Sequence, residues 1–179
     1  MIDYTLKYSN RARSMRLGVL PGGSVVVTVP RFFGQSSLEA VERLIMRYSQ
    51  WIENQVRKMQ GRTVIRIRRG DIPRLKREAL ALTTARCAHF AAFYGYSYKK
   101  ITIRAQKTRW GSCSKTGNLS FNYKIAALPR HLQDAIVAHE ICHLGAFDHS
   151  KKFWDLMSRT TPDHKQIRRE LRSLAFIFY

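Results

Sequence analysis

The sequence has few acidic residues, few cysteines and no long apolar run, and each shortage excludes a class of protein. Its 179 residues include 12 acidic and 32 basic side chains. The three cysteines, Cys87, Cys113 and Cys142, are odd in number and widely spaced, which excludes a disulfide framework and a C-x-x-C metal pair. No apolar stretch approaches the roughly 18 residues that span a bilayer, and the N-terminus lacks the apolar core of a signal peptide. We therefore expect a cytoplasmic protein with reduced thiols.

The composition that remains is basic and rich enough in apolar residues to form a core. Hydrophobic residues make up 45% of the chain, and the net charge is +20. Such a charge favours polyanions such as nucleic acid or nucleotides, although a solvated surface is the simpler explanation. The densest basic run is Arg57 to Arg77, and within it Arg66, Arg68 and Arg69 are the candidate nucleic-acid-binding residues.

Local patterns predict a mixture of strands and helices. Short β-rich runs predict strands at Tyr4–Tyr8, Met15–Leu20, Ser24–Val29, Thr63–Arg69, Ile101–Ala105 and Asn118–Tyr123. Apolar residues at helical spacing predict helices from Ser36 or Ser37 to Met59, over residues 74–94, from Pro129 onwards, after Ser150, and from Asp163 through Leu174. A Pro-Gly-Gly turn at residues 21–23 joins the second and third strands into a hairpin. We divide the chain into an N-terminal hairpin and helix module, residues 1–70, and a core, residues 71–179.

The strongest chemical signal is the segment HEICHLGAFDH, which begins at His139. His139 and His143 are four residues apart, so they share one face of a helix and can bind the same metal ion. Catalytic zinc uses three protein ligands and leaves a fourth position for water, and His149 is the natural third ligand. Glu140 then takes a proton from the zinc-bound water. The pattern predicts one Zn²⁺ per chain, although histidine-rich sites also hold other divalent ions.

Motifs around that segment make the chain resemble the YgjP-like metallopeptidase family, with a more distant similarity to SprT-like and Wss1-like proteases, which act on proteins attached to DNA. The motifs that carry the resemblance are RWGSCS at 109–114, GNLSFN at 117–122, Pro129, HEICHL at 139–144, His149-Ser150, Phe153-Trp154 and Pro162-Asp163. The resemblance is specific over residues 100–174 and looser over 1–60. The family usually carries a small β-rich insertion between its first two long helices, and here only residues 61–72 stand in its place.

The resemblance implies an α+β fold in which a small antiparallel sheet packs on helices, with a zincin-like core that contains the active-site helix. It also implies that His139, His143 and His149 are zinc ligands and that Glu140 is the base. The RWGSC segment should then lie beside the active site, with Gly111 and Ser112 in a turn.

Substrate-binding candidates follow from that placement. The Arg109 guanidinium is suited to a substrate carboxylate, a phosphate or an oxyanion. Asn122 and Tyr123 lie on a strand expected to line the cleft. We expect His131 and His164 to lie on the surface.

Three functions are compatible with these residues. The leading hypothesis is a zinc-dependent hydrolase, most simply a metallopeptidase that acts on a peptide or protein. A metal-dependent nucleotide phosphohydrolase is an alternative because a basic protein attracts triphosphates, but the sequence contains neither a glycine-rich phosphate loop nor an acidic cluster for magnesium. The third hypothesis is a nucleic-acid-binding protein with a structural zinc, which the presence of Glu140 disfavours.

Overall fold

The computed structural model describes residues 2–33 and 37–179, and the side chain of Ser37 is not among the described atoms. The chain forms two compact units: Met1–Arg66 with Ser173–Ile177, and Ile67–Arg172 with Phe178–Tyr179. The first unit thus takes in a C-terminal segment that the predicted division after residue 70 assigns to the core. That segment forms strand β8 (Leu174–Phe178), which pairs with β4 (Thr63–Ile67).

The N-terminal unit consists of a three-stranded sheet and two helices in addition to the pair just described. Its elements are β1 (Tyr4–Ser9), β2 (Arg16–Val19), β3 (Val25–Pro30), α1 (Ser37–Arg47) and α2 (Ser49–Met59). The predicted hairpin is confirmed, since β2 and β3 pair antiparallel. β1 pairs parallel with β3, so β3 is the central strand.

One predicted helix is divided in two. The expected helix to Met59 is interrupted at Tyr48, whose φ of −108° and ψ of 17° are not helical. The hydrogen bonds from Tyr48 N to Leu44 O and from Ile52 N to Tyr48 O nevertheless continue across this residue. Ser36, one of the two predicted starting residues, lies outside the described residues.

The core of the N-terminal unit is built on the central strand. Val25, Val27 and Val29 alternate along β3, point to one face and are buried. They cluster with Val41, Ile45 and Ile52 from the two helices. Each fully buried aliphatic side chain stabilises the unit by about 1.5–3 kcal/mol relative to exposure.

The second unit contains the other α-helices and most of the other strands among the described residues. They are α3 (Ile72–Tyr94), β5 (Lys100–Arg104), β6 (Gly111–Cys113), β7 (Asn118–Asn122), α4 (Arg130–Cys142), α5 (Lys151–Ser158) and α6 (His164–Ser173). The ends of α3 agree with the prediction, because Pro73 lies in its first turn and Gly95 ends it with a φ of +73°. α6 ends before the predicted Leu174, which belongs to β8 instead.

The sheet of the second unit is mixed and not purely antiparallel as expected. β6 and β7 are antiparallel because a tight turn joins them, closed by a hydrogen bond from Gly117 N to Ser114 O. β5 occupies the other edge of β7 and runs parallel to it, because a loop, residues 105–110, separates β5 from the hairpin. Gly111 and Ser112, expected in a turn, lie in strand β6.

The α+β class is confirmed in both units. In the second unit α3 and α4 pack together, and β6 lies against α4. Leu119 and Phe121 of β7 and Leu132, Val137 and Ile141 of α4 are completely buried. None of the described helices is long and apolar enough to span a membrane.

Candidate metal centre and active-site cavity

Helix α4 holds the first two histidines of the predicted site. It starts directly after Pro129, which lacks a backbone donor and therefore suits a helix start. His139 lies in its last turn and His143 at its C-terminal cap. Their Nε2 atoms are 3.2 Å apart, as the four-residue spacing requires.

A short loop returns the chain so that His149 joins this pair. The Nε2 atom of His149 is 3.2 Å from that of His139. The loop begins with a tight turn in which Gly145 N and Ala146 N both bond to Cys142 O. Gly145 suits this turn, since a Cβ atom at this position would overlap the phenol ring of Tyr96 and force it to move.

The three imidazoles form a donor set that fits a metal ion. One ligand nitrogen from each of His139, His143 and His149 lies within 4.8 Å of the other two. Nitrogens bound at about 2.0–2.1 Å to one tetrahedral zinc ion would be about 3.4 Å apart, close to the two 3.2 Å separations. His143 Nδ1 lies 3.1 Å from the carbonyl oxygen of Ala146, which favours a proton on Nδ1 and leaves Nε2 as the ligand atom.

The ring of Phe153 in α5 packs against all three imidazole rings. It is completely buried, and its ring centroid lies 4.8, 4.6 and 4.7 Å from those of His139, His143 and His149. In the sequence, Phe153 stands out only as part of a family motif. A large apolar residue near three histidines carries no sequence signal of this role, because the contact depends on the path of the loop.

Burial keeps the helical histidines neutral, which is the form that binds a metal. Burial, with smaller contributions from the charges of His143, His149 and Arg168, lowers the pKa of His139 to about 3. The pKa of His143 is also lowered by burial, although its hydrogen bond to Ala146 opposes that change.

Glu140 lies beside the triad in a space that exists because residue 111 is glycine. Only 5% of its surface is exposed. A Cβ atom on Gly111 would lie 2.5 Å from Glu140 Oε1, so no other residue fits there without moving the carboxyl group. Burial raises the pKa of Glu140 to about 8, and the positive charge of Arg109 opposes the rise. A divalent ion beside the carboxyl group would lower this pKa further.

A cavity of about 550 Å³ opens beside Glu140, His139 and His149. This volume lies within the range of about 300–1,000 Å³ found for small-ligand sites. Much of its wall is apolar: Trp110, Ala135, Ile136, Trp154, Met157 and Leu171. Its position next to the glutamate and two of the histidines makes it the natural binding site for a reacting molecule.

Two of the predicted substrate-binding residues serve a different purpose. The side chain of Asn122 is buried and donates hydrogen bonds to the carbonyl oxygens of Gln106 and Arg109, at 2.7 and 3.1 Å. Asn122 therefore fixes the loop before β6, because both N–H groups of its amide donate to backbone carbonyl oxygens of that loop. Tyr123 is also buried and does not line the cavity. We correct both assignments from substrate binding to structure.

The other predicted residues fall into three groups. Arg109 is exposed and near enough for its charge to act on Glu140. His131 is exposed as expected, whereas His164 is half-buried in the cavity wall, which corrects its expected surface position. The candidate nucleic-acid-binding residues Arg66, Arg68 and Arg69 are all exposed.

The contribution of α6 to the cavity is not predicted from the sequence. His164 and Arg168 line it, and both contact the ring of Trp154. The available signal is their spacing of four residues, which places them on one face of a helix. Nothing in the sequence indicates that this face meets the active site.

Comparisons with known proteins identify the family. No curated protein matches the chain. The structure resembles the metallopeptidase zymogen abylysin of Pyrococcus abyssi, with 22% identity, a TM-score of 0.48, and coverage of 53% of this chain and 99% of that one. It also resembles the metallopeptidase zymogen jannalysin of Methanocaldococcus jannaschii, with 18% identity, a TM-score of 0.45, and coverage of 50% and 93%. The sequence model of the YgjP-like metallopeptidase domain matches residues 62–174, which is more than half of the chain. The chain therefore belongs to the YgjP-like family of metallopeptidases and is a metal-dependent peptidase.

Proposed function

We propose that the second unit is a zinc-dependent peptidase site in which His139, His143 and His149 hold one zinc ion and Glu140 is the general base. The observation that carries the proposal is the convergence of the three imidazoles, with two Nε2 separations of 3.2 Å. Glu140 lies outside this ligand group, so its carboxyl group is available for proton transfer.

A bound zinc ion would supply Lewis acidity, which polarises a carbonyl group and makes water more acidic. Glu140 takes a proton from the attacking water and later donates it to the nitrogen of the leaving amine. Burial suits Glu140 to both steps, because a carboxyl group with a raised pKa accepts and returns a proton near neutral pH. Arg109, whose charge acts on Glu140, is placed to stabilise negative charge that develops nearby.

The metal site is tested by its zinc content. We expect about one zinc per chain in the wild type and none in His143→Ala, because two imidazoles no longer complete the ligand set. His131→Ala is the matched control, since His131 is exposed and pairs with Glu170. Equal zinc content in all three proteins would refute the site.

The base is tested separately from the metal. Glu140→Gln should retain zinc and lose casein hydrolysis by at least about 100-fold, within the usual contribution of a general base. Glu53→Gln, a change at an exposed glutamate, should retain full activity.

The phosphohydrolase alternative is tested by incubating the same preparations with nucleoside triphosphates. Release of phosphate without casein cleavage would replace the proposed reaction.

A further inference from the structure

The cavity beside Glu140 joins an apolar wall to one permanent positive charge. Among the described residues that line it, Glu140 and Arg168 are the only acidic and the only Lys or Arg side chains. Ile136, Met157 and Leu171 are among the apolar groups that remain. A ligand that fills this space therefore needs an apolar group and an anion.

Helix α6 delivers the positive charge to the cavity. His164, Ile167, Arg168 and Leu171 follow the i, i+3, i+4, i+7 spacing of one helix face, and all four line the cavity. All four basic side chains of α6 are exposed in part, but Lys165, Arg169 and Arg172 do not line the cavity. Arg168 thus differs from the other basic residues of α6 in its position relative to the site.

Arg168 is held in place and has its charge available. Its guanidinium carbon lies 5.6 Å from the centroid of the Trp154 ring, a cation–π contact that orients the group without neutralising it. None of the ion pairs found among residues 2–33 and 37–179 includes Arg168. A carboxylate from a ligand is the natural partner for this guanidinium.

We propose that the cavity binds the C-terminal residue of a peptide, with its large apolar side chain against the apolar wall and its α-carboxylate on Arg168. This inference rests on the proposed peptidase function and specifies its substrate class. The C-terminal residue combines an apolar side chain with an adjacent anion, which is the combination the cavity offers. Water adds across the last peptide bond: the hydroxyl group goes to the carbonyl carbon, the hydrogen goes to the nitrogen, and the free C-terminal amino acid is released.

Binding is measured first, because it does not depend on turnover. The ligands are N-acetyl-L-phenylalanine, its C-terminal amide and N-acetylglycine, titrated calorimetrically into wild type, Arg168→Gln and Arg169→Gln. Loss of either the carboxylate or the ring should weaken binding to the wild type about tenfold or more, as expected for a charged hydrogen bond and a buried aromatic ring. Arg168→Gln should bind the acid only as well as the amide, and the control Arg169→Gln should behave as wild type because Arg169 does not line the cavity.

Hydrolysis is measured next with Ala-Ala-Ala-Phe as the free acid and as the amide. The wild type should release phenylalanine from the acid and favour it about tenfold or more over the amide. Arg168→Gln should abolish that preference through KM with little change in kcat, and Arg168→Lys should restore part of it because the positive charge returns. Unchanged zinc content and thermal unfolding midpoint exclude a folding defect in these variants.

The outcomes distinguish this inference from the proposed function. Casein cleavage with equal rates on acid and amide would overturn the C-terminal specificity and leave the peptidase proposal intact. Unchanged binding of N-acetyl-L-phenylalanine to Arg168→Gln would also overturn it. Absence of hydrolysis from casein and both peptides would count against the proposed function, whereas the binding experiment would still decide the role of Arg168.

Discussion

The two units contain three-stranded sheets of the same design. In each, the third strand is central, the second pairs with it antiparallel and the first pairs with it parallel, giving the orders β1-β3-β2 and β5-β7-β6. The sheets differ in the surroundings of the antiparallel edge strand. A Cβ atom on Gly18 of β2 would meet nothing closer than 4.0 Å, whereas one on Gly111 of β6 would collide with Glu140. A shared topology therefore does not create an active site. The difference lies in the residues of the antiparallel edge strand.

The largest expected effect is the loss of folding stability caused by substitutions in the central strands. Phe121→Ala removes a completely buried ring from β7 and should lower the free energy of unfolding by about 3–5 kcal/mol. Zinc content should fall as well, because β7 supports the hairpin next to α4. Val27→Ala in β3 should cost about 2 kcal/mol and leave zinc content and activity unchanged. For both variants, chemical denaturation measures the free energy of unfolding and metal analysis measures the zinc content. Loss of zinc in Val27→Ala would show that the two sheets are not independent.

The edge strands provide the sharper comparison. Gly111→Ala should reduce casein hydrolysis about 100-fold and retain zinc, because the added Cβ atom displaces the Glu140 carboxyl group. Gly18→Ala, the equivalent change in β2, has space and should retain full activity. Equal activities of the two variants would mean that Glu140 accommodates the methyl group without loss.

The loop after α4 depends on a similar close approach. Gly145→Ala should cost about 1–3 kcal/mol through overpacking against Tyr96 and weaken zinc binding, because the same loop carries His149. Gly70→Ala is the control, since a Cβ atom there meets nothing within 4 Å. Zinc affinity is measured by competition with a chelator. Adding Tyr96→Ala to Gly145→Ala should restore part of the affinity, and failure to do so would assign the loss to another contact.

The smallest effect is expected from the basic surface. Substitution of Arg66, Arg68 and Arg69 with Ser should flatten the salt dependence of any binding to DNA or RNA, because fewer counterions are released. Zinc content should not change, since all three side chains are exposed and none lines the active-site cavity. Titration of a labelled oligonucleotide at several salt concentrations measures the slope. No binding at low salt would identify the charge as a solvated surface.

Local rules explain what could be predicted from the sequence. Pro129 and Gly95 mark helix boundaries because their backbone properties act without any distant partner. The antiparallel hairpin of β2 and β3 follows from its short turn. The four-residue spacing of His139 and His143 places them together on any helix, so the pairing of these rings is predictable.

The sequence by itself determined the spacing of the histidines, the helix that carries His139 and His143, and the mixture of strands and helices, because these depend on spacing and on neighbours along the chain. Only the tertiary structure decided that β5 runs parallel to β7, that Gly111 makes room for Glu140, and that Arg168 faces the cavity. It also decided that Asn122 holds a loop and does not face a substrate. These features join segments that are distant in the chain, and such contacts depend on how whole elements pack, which local propensity and periodicity do not encode.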